Sequence, residues 1–153
     1  MKAKYILGML LVLIAATACV YAEDATIDDD YKFTLPDKYT VDSQTDEYFD
    51  LKMDENHMIS IRITDDVTSD NDTIKGLENQ GYNVTGSQIL NYSDKQISEI
   101  RYQDDSAQFY LYSWKLDNDD DYAIVSWGIP LSEGDMDWNS SPAKTIFDTI
   151  SEI

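Results

Sequence analysis

The chain has 153 residues, 30 of them acidic and 11 basic, for a formal net charge of −19. A surface this acidic repels nucleic acid and anionic lipid, which excludes both as direct partners of the folded part. The length suits one domain with its own core, and the single cysteine, Cys19, leaves no disulfide framework within the chain.

The opening "MKAKYILGMLLVLIAATACVYAED" has Lys2 and Lys4 ahead of an apolar run from Tyr5 to Ala18, followed by small residues. That order is a secretory signal, so residues 1–22 read as a signal peptide, cleaved after Ala22, and the protein as secreted or extracytoplasmic. Two alternatives stay open. Ala16-Thr17-Ala18 before Cys19 resembles a lipobox, which would make Cys19 a lipid-bearing N-terminus. An uncleaved Tyr5–Ala22 would be a short anchor, just under the about 20 residues of a spanning helix. In every case the membrane is met only through this N-terminal segment.

Residues 23–30 read as an acidic lead-in, and residues 31–153 as the domain. "YKFTLP" alternates Tyr31, Phe33 and Leu35 with polar residues, a strand stopped by Pro36. "KYTVDS" is a further short strand. "YFDLKMD" and "MISIRIT" repeat the period of two, with Asp54-Glu55-Asn56-His57 between them as a hairpin turn. A helix is predicted from about Asp72 to Gln80, with Ile74 and Leu77 inward and Gly81 as its stop. Beyond it come a strand near Asn83–Tyr92, then "KQISEIRYQ", "AQFYLYSWKL" and "YAIVSWGIP". Ser141 and Pro142 start a last helix whose Ala143, Ile146, Phe147, Ile150 and Ile153 share one face.

This order is α+β, with a mostly antiparallel sheet of about six to seven strands. Both faces of "QFYLYSWKL" are apolar, so helices should cover the sheet on both sides. With "YKFTLPDKYTV", "NQGYNV", the meander "AQFYLYSWKL…YAIVSW" and the closing "SPAKTIFDTISEI", the chain resembles the PsbP-like fold family. That family comprises photosystem II accessory proteins, a Ran-binding nuclear transport factor and many secreted proteins. The resemblance implies an α/β/α sandwich and a binding or assembly role; it transfers no site residue.

The sharpest candidate site is "WKLDNDDDYAIVSW". Asp117, Asp119 and Asp121 take the 1, 3, 5 spacing of a calcium loop, but Tyr122 stands where the loop needs glycine and Gly128 where it needs a bidentate glutamate. A charged hairpin tip is the preferred reading, with a calcium-responsive module as the alternative. Asp65, Asp66, Asp70 and Asp72 precede the middle helix, where capping suits them. His57 lies in a turn, a surface position, and would have to be the base of any Ser-His-Asp hydrolase, the second alternative. No nucleophile-elbow sequence accompanies it. Tyr110, Tyr112 and Trp114 form a core stripe, whereas Trp138 in "EGDMDWNSS" is a candidate exposed contact. Asn71, Asn83, Asn91 and Asn139 each begin an Asn-X-Ser/Thr triplet, a glycan acceptor in an exported chain. The expectation is a non-enzymatic binding or assembly domain, without a cofactor, whose partner is a protein or envelope component.

Overall fold

The computed structural model describes residues 22–117 and 120–153. Residues 1–21, read above as a signal and including Cys19, and Asp119 lie outside the described residues. The elements run β1 (Asp24–Ile27), β2 (Tyr31–Thr34), β3 (Thr40–Gln44), β4 (Phe49–Asp54), β5 (His57–Thr64), α1 (Asp70–Asn79), β6 (Asn83–Tyr92), β7 (Lys95–Gln103), β8 (Ala107–Lys115), β9 (Tyr122–Pro130), α2 (Ala143–Thr149) and β10 (Ser151–Glu152). Two 3-10 turns, Leu131–Glu133 and Trp138–Ser140, join β9 to α2.

The main sheet has seven strands in the order β3-β4-β5-β9-β8-β7-β6, all antiparallel. The chain reaches the middle at β5, crosses one face as α1, starts again at the far edge with β6 and meanders back until β9 pairs with β5. A second sheet, β1-β2-β10, has three strands. Gly81, at φ +94°, ends α1 in the left-handed conformation that glycine adopts without a Cβ penalty, and turns the chain into β6.

The two faces differ in how tightly they are sealed. On one, Leu51, Ile59, Ile61, Ile97, Tyr110, Tyr112, Trp114, Val125 and Trp127 are buried with Tyr31 and Phe33 of β2, Trp138, and Ala143 and Ile146 of α2. Aromatic edges interlock there: Phe33 meets Phe49 at 5.5 Å, and Trp114 meets Phe147 at 5.1 Å. On the other face α1 covers the sheet with no residue of its own buried. Gly128 of β9 pairs there with Phe109 of β8, and a Cβ on it would come 2.9 Å from the Phe109 ring.

Three expectations are corrected. The acidic lead-in is strand β1, whose Asp24–Ile27 pairs with Tyr31–Thr34 through backbone hydrogen bonds that acidic side chains leave undisturbed. "YKFT" belongs to the small sheet rather than to the main one. The last helix stops at Thr149: Ile150 turns extended, Ser151 and Glu152 pair with β2, and Ile153 is 70% exposed. A strand partner close by gives the last residues more backbone hydrogen bonds than a frayed final turn would.

Candidate functional site

Among the described residues the acidic hairpin does not gather its carboxylates. Asp117 pairs with Lys95 at 2.8 Å, Asp120 with Lys115 at 3.2 Å, and Asp121 accepts from the Tyr31 hydroxyl at 2.9 Å. Each of these three carboxylates meets a different donor. Among the described residues no three His, Cys, Asp or Glu side chains stand together as a metal site. In the second acidic cluster it is Ser69 that caps α1, its Oγ accepting from the Asp72 N–H. Asp70 accepts instead from the Ser98 hydroxyl at 2.7 Å and so ties the start of α1 to β7.

Trp138 is corrected from an exposed contact to a core residue, 8% exposed. The 3-10 turn that carries it folds over the sheet, and its ring meets Tyr92, Tyr112 and Phe147 at 5.6, 5.1 and 5.8 Å. A loop composition gave no sign of that, because burial here comes from strands distant in sequence. The four triplet asparagines, Asn71, Asn83, Asn91 and Asn139, are all exposed, and two of them, Asn83 and Asn91, stand on β6.

His57 is only part-exposed. Asp54 accepts from its Nδ1 at 2.8 Å, and Glu133, far along the chain, contacts Nε2. Asp54 above all, then Glu133, raises the imidazole's pKa, and the same contact holds the Asp54 carboxyl below its usual value. Carboxylates on both nitrogens favour the imidazolium, which has no lone pair left to take a proton from a hydroxyl. This group is therefore an ionic clamp between the β4–β5 hairpin and the Leu131–Glu133 turn.

A second charged group escaped the sequence reading. Glu99 is 1% exposed; one of its oxygens accepts from Arg101 Nε at 2.7 Å and Gln88 Nε2 at 2.8 Å, while the other is buried without a partner. The alternation of Ile97, Glu99 and Arg101 on the inward side of "KQISEIRYQ" was the available signal.

One of several concave features lies between α1 and the sheet. It is a cleft of about 310 Å³, with Leu77 of α1 above, Ile100, Leu111 and Ile124 below, and Asp70 and Ser98 also lining it. Val67 closes one side. Arg62 of β5 also lines the cleft, and its guanidinium lies 5.9 Å from the Tyr48 ring. Among the described residues Arg62 forms no ion pair, although acids outnumber bases nearly threefold. A part-exposed cation beside an apolar floor suits a group that brings an anion and an apolar body together.

No family model matches the chain, and no curated protein is similar to it in sequence. Solved structures are similar in fold. The Ran-binding protein Mog1p of Saccharomyces cerevisiae superposes with a TM-score of 0.56 at 7% identity, over 87% of this chain and 96% of its own. Cyanobacterial PsbP (CyanoP) from Synechocystis superposes with a TM-score of 0.57 at 9% identity, over 90% and 96%. The chain has the PsbP-like fold. A Bacteroides thetaiotaomicron protein shares it too, with a TM-score of 0.54 at 9% identity, this chain matching 48% of that one. At such identities the PsbP-like fold is what is common, and site chemistry has to be read from this chain's own residues.

Proposed function

We propose that the protein is a non-enzymatic binding domain that works outside the cytoplasm, secreted or held at the envelope, and that it takes its partner in the cleft beneath α1. The observation that carries this reading is Arg62, which among the described residues pairs with no acid and lines a cleft of mixed polar and apolar residues in a strongly acidic chain; the one carboxylate lining that cleft, Asp70, is engaged by the Ser98 hydroxyl. The partner is a protein or envelope component that presents a carboxylate or another anion to Arg62 and an apolar side chain to Leu111 and Ile124. Two further points support the reading: the imidazole of His57 is engaged on both nitrogens, and a protein of the same fold, Mog1p, is a Ran-binding protein.

The test is affinity capture from the native envelope with the wild-type protein and with Arg62→Glu, paired with thermal melts of both. Capture of a discrete partner by the wild type and its loss in the equally stable variant is the expected result. Equal capture by both would remove the cleft from the proposal. Mass analysis of the native N-terminus, with Glu23 expected first, tests export separately: a lipid-bearing Cys19 or an intact Met1 would replace the secreted form with an anchored one.

A further inference from the structure

Strand β6 lies at the outer edge of the seven-stranded sheet, with β7 on one side and no described strand on the other. It is the longest strand in the described residues, at 10 residues, and its sequence NVTGSQILNY contains no charged residue and no proline. Only β9 shares that lack of charge among the described strands, and β9 is a central strand held between β5 and β8. The opposite edge is built differently: β3 has 5 residues and carries Asp42, which pairs with Lys52 at 2.6 Å. Folded proteins protect sheet edges by keeping them short, charged, bulged or interrupted by proline, because unpaired N–H and C=O groups template another strand. β6 has one such device, a bulge between Val84 and Gly86, and from Gly86 to Tyr92 its pairing with β7 is regular. Ile89 in that regular part is 51% exposed. An interior type of strand therefore stands on the outside.

We propose that β6 is an interface between two copies of this chain, joined edge to edge by antiparallel pairing into one continuous sheet. Charge selects the occupant. With a net charge of −19, two copies meeting through other faces bring carboxylates together, whereas β6 against β6 opposes only uncharged side chains in every register within the strand. A two-fold axis uses the same strand from both copies, so the assembly closes at a dimer. Pairing satisfies the outward backbone groups and covers Ile89. None of the residues lining the cleft beneath α1 lies on β6, so this proposal stands apart from the partner reading above. Asn83 and Asn91 lie on this same strand, and a glycan on either would occupy the edge; the dimer belongs to the unglycosylated protein.

The experiment is sedimentation equilibrium of the protein expressed from the full chain without glycosylation, at low and at high salt. The expected result is a monomer–dimer equilibrium that tightens with salt, since screening relieves the repulsion between the two acidic bodies. Ser87→Asp with Ile89→Asp places carboxylates on the edge and should weaken the dimer at least tenfold, with an unchanged melting temperature at concentrations where wild type and variant are both monomeric. Val41→Asp on the β3 edge should leave the dimer intact. A monomer at all concentrations and salts, assemblies larger than a dimer, or equal loss in both edge variants would overturn the proposal.

Discussion

Tyr110 and Tyr112 are neighbours on one strand face, 1% and 0% exposed, and removal of their hydroxyls should have opposite effects on stability. The Tyr110 hydroxyl accepts from the Met136 N–H at 2.8 Å and donates to Gln108 Oε1 at 3.3 Å, while Gln108 Nε2 donates in turn to the Gly134 carbonyl. That chain of bonds holds the segment after β9 down on the sheet. Tyr110→Phe breaks two bonds and leaves the Met136 N–H in search of a partner, a loss of about 1–2 kcal/mol at typical net hydrogen-bond values. The Tyr112 hydroxyl faces Ser141 but makes no hydrogen bond, and burial pushes its pKa upward. The native state already bears the desolvation of that group, so Tyr112→Phe should be neutral or stabilising by up to about 1 kcal/mol. The two variants, equal in atoms removed, should then differ by about 1–3 kcal/mol. Urea unfolding followed by tryptophan fluorescence reads this as a separation of midpoints of about 1 M at a typical slope for a domain this size. Equal destabilisation by both substitutions, or a larger cost at Tyr112, would refute the hydrogen-bond assignment.

The His57 clamp sets a pH dependence. His57 has a raised folded pKa, so its contribution is complete below the ordinary value near 6.5 and fades as pH rises through the raised one; Asp54, with a lowered pKa, loses its share only as pH falls through that lowered value. The destabilisation by His57→Gln should therefore be largest below the ordinary imidazole value and shrink as pH rises through the raised one; a pH-independent difference would count against the clamp. Ser93 and Asp94, at φ +51° and +61°, form the two-residue turn of the β6–β7 hairpin, so Asp94→Gly should stabilise by about 0.5–1 kcal/mol in thermal melts, and a lowered melting temperature would contradict it. Calcium titration at millimolar concentration should give neither heat nor a thermal shift, because Asp117 and Asp120 already face Lys95 and Lys115; a saturable heat would restore the hairpin tip as a site.

The strands that organise the sheet were legible because their side chains alternate with their environment. Tyr110, Tyr112 and Trp114 on one side and Phe109 and Leu111 on the other announce a strand covered on both faces, and β8 is such a strand. The start of α1 was legible from its polar loop, although the capping oxygen belongs to Ser69 and the acid that matters, Asp70, bonds to a strand. Trp138 was misread because its surroundings in sequence are polar while its surroundings in space are Tyr92, Tyr112 and Phe147. Of the cleft, Arg62 looked like any outward residue of an alternating strand. Its place beside Leu77 and Ile124 depends on where α1 crosses the sheet, which no local pattern encodes.

The sequence by itself determined the fold class, the period of nearly every strand, the stripe that fills the core and the overwhelming negative charge, because each is a property of residue type and spacing. Only the tertiary structure decided which strands stand at the edges, that β1, β2 and β10 form a sheet of their own, and which charges find partners. Edge position, burial and ion pairing are relations between residues far apart in the chain. His57 and Glu133, 76 positions apart, meet only because β5 and β9 run side by side and the turn after β9 bends back over the β4–β5 hairpin.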